Sequence, residues 1–551
     1  MADINYSDFP DLNAANKEVL ADPDNYENWE KLVRQVEDLE GGLHRNSSPQ
    51  AIDAARDVYN RFLTKFPLFF GFWKKYADLE FSLAGPESAT FIYERGVASV
   101  ACSVDLWTNY CSFVLETSHD NEVQRELFER GAECVGLDFL AHPFWDKYID
   151  FEERLGQSAN VFAILSRVIK IPMHQYARYY EKYRAMSAQM PINALASEEV
   201  IARLSQDSYR LVQINNGTQA DIERDMRSKL DQINFESFKR NQDEVNKRWT
   251  YEAEIKRLYF HVTDLDEAQI SNWHKYLDFE EAEGDFRRTT FLYERCVVIC
   301  AHYADFWFRY ARWMSTKEDK VEETRNIYER ASCYYLPIAL PQIRHKWALF
   351  EEAQGRPRVA AEIYQGVLLT RPDYPNTVNC LANLTLRTFG VEAAIGIYQH
   401  YLKYPEISAA TRGMLISALA HLVYQSKNDA LRALEVFQAY KSEAADSETF
   451  WHYWFDFEQH LAVPEEYLPK YRERVKAVYQ DLRASGKVSK VQLNKLTEKY
   501  MEWLTERGDI LTAAKDYIEL ESFINGSAQV VPVARAKLGD LIKEEPANHG
   551  W

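Results

Sequence analysis

Large apolar residues along the chain recur at helical spacing. In several segments a Trp is followed by an aromatic residue at i+3 and by Glu at i+7, as in Trp73-Lys-Lys-Tyr76-Ala-Asp-Leu-Glu80. Positions i, i+3 and i+7 lie on one face of an α-helix, so each segment predicts an amphipathic helix, here called helix A. The full and partial copies of this signature contain Trp73, Tyr76, Glu80, Trp107, Tyr110, Trp145, Tyr148, Glu152, Trp273, Tyr276, Glu280, Trp307, Tyr310, Trp451, Trp454 and Glu458.

A second motif, an aromatic residue followed by Glu and Arg, comes after helix A. Its clear copies are centred on Tyr93, Phe128, Tyr293 and Tyr328, and successive aromatic residues of this motif are about 35 positions apart in most of the array. Turn residues such as Gly85-Pro86 precede it, which predicts a second amphipathic helix, helix B. Tandem A and B helices predict an all-α fold, an α-solenoid of helix-turn-helix repeats in which each pair packs on its neighbours.

The signature rings are expected to form the core between helices and to bind no ligand, because aromatic side chains dominate protein cores. The acidic and basic motif residues lie next to core positions. An unpaired charge at a buried seam is costly, so we expect these residues to pair between helices, for example Glu80 with Arg95.

The signature lapses once along the chain, which predicts two repeat blocks. We expect an N-terminal extension over residues 1–25, an N-terminal repeat block over 26–185, a linker with a helical segment over 186–247, and a C-terminal repeat block over 248–551. The polar sequence of the linker predicts a flexible connection followed by a helix. The end of the C-terminal block reads as divergent helices through Leu541.

The C-terminal block is unusually rich in aromatic residues near Trp451. There are more rings than one helix face can bury within its own repeat, which predicts an oligomer contact in a dimerisation region. The candidate dimer residues are Phe450, Trp451, Tyr453, Phe455, Tyr479 and Tyr500. Alternatively, these rings cap the end of the solenoid, because terminal repeats are atypical.

Composition and charge restrict the function classes. The chain has 551 residues, of which 46% are hydrophobic, and a formal net charge of −19, which opposes general attraction to a phosphate backbone. No apolar run is long enough to span a membrane, and the seven scattered cysteines favour a reducing compartment over a disulfide framework. We therefore expect a soluble, non-secreted protein without a membrane partner.

Basic clusters interrupt the acidic background at three places, over residues 239–248, 470–476 and 487–495. The candidate RNA or phosphate contacts are Lys239, Arg240, Lys247, Arg248, Lys487 and Lys490. A charge cluster on a helix is more often a solvated face, and that alternative stays open for each of them.

Sequence features of catalysis are missing. The chain has neither a Walker pattern nor G-x-G-x-x-G, and Cys296, Cys300 and His302 form only part of a zinc ligand set. The motif carboxylates recur in every repeat, whereas a catalytic site occupies one place. We expect no enzyme activity, no cofactor and no metal.

The two motifs resemble the HAT (half-a-TPR) repeat, whose helix A carries Trp, Tyr and Glu and whose helix B carries aromatic-Glu-Arg-Ala. The resemblance covers nearly the whole chain, with departures at Val114, where Glu would fall, and Arg344, where Trp would fall. It implies an RNA-processing scaffold located in the nucleus.

Within that family, the segment from Trp249 through Trp273-His-Lys-Tyr276 to Glu280 resembles splicing factors associated with the U1 small nuclear ribonucleoprotein (snRNP). This resemblance implies a scaffold that bridges U1 proteins at the 5′ splice site, with mostly indirect contact to RNA. It also implies a homodimer, or a heterodimer with a HAT paralogue, formed through the C-terminal repeats.

Two other functions compete with this one. A HAT scaffold of the mRNA 3′-end cleavage machinery would have the same repeats. An all-α prenyltransferase-type enzyme subunit would also have repeated helix pairs, although the Tyr-Glu-Arg motif of helix B counts against it.

Overall fold

The computed structural model describes Tyr6 and residues 9–214, 218–427, 429–461 and 465–525. Within these ranges every regular element is helical, as the repeat pattern predicts. The chain divides into two compact units, Met1–Leu336 and Pro337–Trp551. The division therefore does not fall in the predicted linker over 186–247, and the predicted helical end beyond Asn525 lies outside the described residues.

The first unit contains sixteen of the described α-helices. They are α1 Pro10–Ala21, α2 Tyr26–Glu37, α3 Pro49–Lys65, α4 Phe70–Ala84, α5 Pro86–Ser99, α6 Val104–Thr117, α7 Asn121–Val135, α8 His142–Arg154, α9 Ser158–Val168, α10 Tyr176–Ser187, α11 Glu198–Ile214, α12 Gln219–Glu252, α13 Glu267–Glu283, α14 Phe286–Ile299, α15 Ala304–Ser315 and α16 Val321–Arg330.

The second unit contributes ten more within the described ranges. They are α17 Gln342–Ala353, α18 Pro357–Thr370, α19 Pro375–Phe389, α20 Val391–Leu402, α21 Ala409–Lys427, α22 Ala430–Tyr440, α23 Glu448–His460, α24 Leu468–Ser485, α25 Lys490–Arg507 and α26 Ala513–Asn525.

Local sequence signals set the ends of these helices. Ser48, Ser103 and Asp120 each accept a hydrogen bond from a backbone N–H of the following first turn. Between α4 and α5 the chain turns at Gly85, whose φ of +101° favours glycine, and Pro86 begins the next helix. Short turns of this kind keep helix A and helix B of one repeat together.

Ring stacking joins helix B to the next helix A at five steps of the first unit. The rings of Tyr93 and Tyr110 lie nearly parallel with their centroids 5.0 Å apart, and Phe128 and Tyr148 stack in the same way at 4.7 Å. This geometry recurs in the pairs Tyr59–Tyr76, Tyr251–Tyr276 and Tyr293–Tyr310. The two aromatic motifs of the sequence are therefore two halves of one inter-repeat contact.

A small residue after the Glu-Arg pair of helix B makes this packing possible. A Cβ on Gly131 would lie 2.6 Å from the Phe144 ring, and one on Gly96 would lie 3.1 Å from the Trp73 side chain. A neighbouring helix A, the following one at Gly131 and the preceding one at Gly96, therefore approaches so closely that larger side chains do not fit.

Both segments predicted to lie outside the repeats contribute helices. In the N-terminal extension, α1 buries Leu12, Ala15 and Val19. In the predicted linker, α11 and α12 share a small core that includes Leu204 and Met226. The last turns of α12 act as a helix B, because Tyr251 stacks on Tyr276 of α13.

Candidate interaction surfaces

A charged ladder, formed by helix B Glu and Arg residues, connects successive repeats in the first unit. Arg130 donates two hydrogen bonds to Glu94 of the preceding helix B, at 2.9 and 2.8 Å, and Tyr110 donates a third at 2.7 Å. The same Arg130 lies over the Trp107 ring, 5.8 Å from its centroid. The hydrogen bonds from Arg130, followed by the one from Tyr110, lower the pKa of Glu94.

The same Glu, Tyr, Arg and Trp arrangement recurs at three further steps of the ladder. The carboxylates of Glu129, Glu252 and Glu294 each bind the next helix A Tyr and the next helix B Arg. The corresponding partners are Tyr148 with Arg167, Tyr276 with Arg295, and Tyr310 with Arg330. Each of these Arg residues lies over a signature Trp, namely Trp145, Trp273 or Trp307. The signature residues thus serve the inter-repeat contact and are engaged within it.

The indole N–H explains why this position carries Trp. Trp73, Trp107 and Trp307 each donate to a backbone carbonyl six residues earlier, at 2.8 Å. That bond ties the loop before helix A to the helix, which a Phe cannot do because it has no ring donor.

The helix A Glu belongs to a separate set of ion pairs, and the predicted Glu80–Arg95 pair is wrong. Glu80 accepts from Arg56 at 2.7 and 2.9 Å. Arg95 instead donates to Asn60, at 2.8 Å, and lies over the Trp73 ring. Asn60 occupies the position that Glu holds in the other ladder steps, so a shorter acceptor replaces the carboxylate there.

The partner of the helix A Glu lies three residues before the helix B aromatic. Arg125 binds Glu152 at 2.6 and 3.2 Å, and Arg248 binds Glu280 at 2.7 and 3.0 Å. The sequence carries the signal for these pairs as Arg-x-x-aromatic, a pattern that lies outside the helix A and helix B motifs described above.

The aromatic-rich repeat near Trp451 uses a different partner. Leu434 stands where the preceding helix B would carry that Arg, and Glu458 instead accepts from Arg474 of α24 at 2.9 Å. Burial raises the pKa of Glu458, with Arg474 acting in the opposite direction.

The predicted dimer residues are mostly inside the second unit. Phe450, Trp451, Phe455, Tyr479 and Tyr500 are at most 3% exposed, whereas Tyr453 is 37% exposed. The dimer prediction is thus wrong for the five buried residues.

Neighbouring helices supply the partners that bury those rings. Phe437 of α22 stacks on Trp454, with centroids 5.7 Å apart, and Tyr479 of α24 stacks on Tyr500 of α25 at 4.4 Å. One repeat alone could not bury so many rings, but four successive helices can.

The predicted phosphate contacts differ in their availability. Arg248 is 2% exposed and ion-paired, so its assignment as a surface contact is wrong. Lys247 pairs with Glu244 and Glu283 at 2.8 and 3.3 Å, and Lys239 lies over the Phe235 ring. The other three candidates are exposed, namely Arg240, Lys487 and Lys490.

The first unit also joins residues from both predicted repeat blocks. Arg295 of α14 is buried, pairs with Glu252 at 2.7 Å, and lies 3.4 Å from Asp138 in the loop after α7. Burial raises the pKa of Asp138, while Arg295 opposes that shift. The Phe69 and Phe260 rings meet nearby in an edge-on contact at 5.1 Å. The repeats on either side of α11 and α12 thus share buried contacts.

Among the described helices, none is both long and apolar enough to cross a bilayer.

Comparisons with known proteins agree with the repeat geometry. The model of the PRP39 N-terminal HAT repeat matches residues 13–185, and that of the PRP39 C-terminal HAT repeat matches residues 246–387. The chain is 41% identical over 542 residues to pre-mRNA-processing factor 39 of Schizosaccharomyces pombe, covering 96% of this chain and 88% of that protein.

Two more distant similarities extend the comparison. The chain is 24% identical over 311 residues to the U1 small nuclear ribonucleoprotein component PRP42 of Saccharomyces cerevisiae, covering 54% of this chain and 56% of that protein. The crystal structure of CstF-77 shares the fold, with a TM-score of 0.52 at 12% identity, covering 82% of this chain and 87% of that one. With its ladder, its paired HAT blocks and 41% identity along almost its whole length, this chain belongs to the pre-mRNA-processing factor 39 family of HAT-repeat proteins.

Proposed function

We propose that this chain is a non-catalytic scaffold of the U1 small nuclear ribonucleoprotein, acting in the nucleus in 5′ splice site recognition during pre-mRNA splicing. The observation that carries the proposal is the 41% identity to pre-mRNA-processing factor 39 over 96% of the chain. The similarity to a protein named as a U1 component supports the same assignment.

The charged residues of the signature support a scaffold over an enzyme. Glu94, Glu129 and Glu294 are each held by an Arg and a Tyr of the next repeat, and their pattern recurs along the array. A general acid or base needs a carboxylate free to exchange a proton with a substrate. These carboxylates instead hold neighbouring repeats together.

Affinity purification of the tagged full chain from nuclear extract tests the U1 assignment. U1 RNA and U1 proteins are expected among the bound molecules, with RNA contact mostly through those proteins. Recovery of 3′-end cleavage factors without U1 RNA would replace the proposal with the cleavage-scaffold alternative. The likeness to CstF-77 does not favour that alternative, because a similarity at 12% identity shows only that the two proteins share a fold.

We further propose self-association, or pairing with a HAT paralogue, through the second unit. With five of the predicted rings buried, the contact has to use other side chains. The turn between α25 and α26 exposes Ile510 by 96% and Leu511 by 88%, and Ile518 on α26 is 63% exposed. Neighbouring exposed apolar residues of this kind are typical of protein interfaces.

Light scattering of the purified chain tests this contact. The expected mass is twice 64.4 kDa for the unaltered chain and 64.4 kDa for the variant Ile510→Asp/Leu511→Asp. Leu369→Asp is the matched control, because Leu369 is 85% exposed on α18 in the same unit and should leave the dimer intact. A monomeric unaltered chain, without a paralogue in the purified complex, would contradict the proposal.

A further inference from the structure

A basic groove lies in the first unit between the end of α9, the middle of α12 and the start of α14. It encloses about 550 Å³, and its lining includes five basic residues, Lys170, Arg240, Arg248, Arg287 and Arg288, and three acidic ones, Glu244, Glu283 and Asp285. The whole chain carries a net charge of −19, so a groove lined by more basic than acidic residues stands out from the rest of the surface.

The carboxylates at the groove already have other partners. Glu244 binds Lys247 and Arg248, and Glu283 lies 3.3 Å from Lys247. Asp285 caps α14 by accepting from two backbone N–H groups, at 3.0 and 3.2 Å. Glu244 and Glu283 are thus paired with Lys247 and Arg248, and the single charge of Asp285 offsets only part of the charge of the other four basic residues.

Of the four basic residues other than Arg248, three have no acidic partner in the described part of the chain, and Arg288 has a distant one. Lys170, Arg240 and Arg287 are exposed. Among the described residues, no carboxylate lies within 4.0 Å of the charged group of any of these three side chains. Arg288 is largely buried, its Nε has no hydrogen-bond partner in the described part of the chain, and Glu280 is 4.0 Å away. Burial lowers the pKa of Arg288, and the charge of Arg248 lowers it further.

Rigid contacts hold the groove in this form. Asn241 is buried and donates to the carbonyls of Ile169 and Ile171, both at 3.1 Å. These bonds fix α12 beside the end of α9 and hold Arg240 and Lys170 on the same groove. A site with preset charges loses less entropy when it binds a ligand.

We propose that this groove binds an acidic peptide segment of a protein partner. Guanidinium groups bind carboxylates through paired, charge-assisted hydrogen bonds. A second cavity, of about 980 Å³, shares Leu137 and Arg287 with the groove and is lined by Phe286, Phe291 and Tyr334. That cavity provides apolar surface for hydrophobic residues next to the acidic ones.

The lining of the groove favours a peptide over single-stranded RNA. Proteins that bind single-stranded RNA combine a positive groove with aromatic side chains on which the bases stack. Among the described residues, the aromatic side chains line the adjoining cavity and none lines the basic groove, so bases in the groove would have no ring to stack on beside Lys170 and Arg240. The inference rests on the proposed scaffold function in one respect: a scaffold binds protein partners, so the ligand is taken to be a segment of a protein.

Fluorescence anisotropy with the full chain tests the groove directly. The probes are a fluorescein-labelled oligoglutamate peptide and a labelled oligouridylate of matched charge. We expect the peptide to bind, and Arg240→Glu/Arg287→Glu to weaken its binding by about tenfold or more, because two contacts become repulsive. Both side chains are exposed, so the variant should retain the helix content of the unaltered chain.

Lys346→Glu/Lys403→Glu is the control, because it changes the net charge equally on exposed lysines of the second unit. It should leave peptide binding within about twofold. An equal loss in both variants, or no peptide binding, would overturn the proposal. Tighter binding of oligouridylate that is lost in the groove variant would overturn it in favour of nucleic acid.

The failure of this inference and that of the proposed function can be told apart. The probes are synthetic, so their binding does not depend on U1. Absence of U1 RNA from the affinity purification would reject the splicing assignment without altering the anisotropy result.

Discussion

The ion pair between Arg248 and Glu280 provides the sharpest test of how the repeats are stabilised. Both side chains are 2% exposed, and Glu280 accepts from Arg248 at 2.7 and 3.0 Å. Replacing Arg248 by Met keeps most of the side-chain volume but leaves the Glu280 carboxylate buried. The nearest remaining cation is Arg288, at 4.0 Å.

Removing one partner of a buried pair costs about 3–5 kcal/mol, because the remaining charge is desolvated without compensation. Hydrogen exchange measured by mass spectrometry on the full chain reports the local opening free energy of α12 and α13. We expect Arg248→Met to lower that free energy by about 3 kcal/mol or more. The double variant Arg248→Met/Glu280→Leu should recover most of the loss, because neither charge then remains.

Lys74→Met is the control, because Lys74 and Asp78 form an i, i+4 pair with side chains 43% and 53% exposed. Its loss should cost about 0.3–0.5 kcal/mol. The reasoning fails if Arg248→Met costs no more than this control, or if the double variant is as unstable as the single one. Reduced RNA binding by Arg248→Met without loss of stability would restore the original surface assignment.

Two further predictions concern the packing and the ladder. Gly131→Ala should lower the thermal midpoint in calorimetry, because the new Cβ would lie 2.6 Å from the Phe144 ring, an overlap that costs about 1–3 kcal/mol. Gly366→Ala, in a helix with open space around the new Cβ, should instead raise the midpoint, because Ala has a helix propensity about 1 kcal/mol better than Gly. A midpoint that rises in Gly131→Ala and falls in Gly366→Ala would refute the packing argument. Glu94→Gln should cost less than about 1 kcal/mol at neutral pH, because the pair with Arg130 is partly exposed. The pKa of Glu94 is lowered on folding, so its contribution is present above the unfolded pKa of about 4.3 and is lost as the pH falls through the folded value. Denaturation of both proteins as a function of pH should therefore show their difference shrinking below about pH 4, and a difference that grows there would contradict the ladder assignment.

The sequence was most informative where the relevant interactions are local. Residues at i, i+3 and i+7 share a helix face whatever surrounds the helix, so the pattern around Trp73 predicted α4 correctly. The same reasoning missed that α12 ends as a helix B, because Arg248, Tyr251 and Glu252 lack the usual spacing to the next motif. Their contacts to α13 and α14 reveal that role.

The dimer prediction shows how local reasoning fails. Counting rings on one helix predicted that another molecule covers Phe450 and Trp451, with a cap at the end of the solenoid as the alternative. The number of partners for a ring depends on the neighbouring helices, and here α22, α24 and α25 supply them. Exposure is a property of the assembled unit, so composition alone could not separate Tyr453, which is exposed, from the buried rings.

The sequence by itself determined the helical period, the alternation of A and B helices and the family, because each depends on residues a few positions apart or on the recurrence of a motif. Only the tertiary structure decided which Arg meets which Glu: Arg56 lies 24 residues from Glu80, and Glu252 lies 43 residues from Arg295. The packing of whole helices sets those distances, and several cations compete for each carboxylate. The same packing left Lys170, Arg240 and Arg287 of the basic groove without an acidic partner within the described residues, which no local pattern in the chain records.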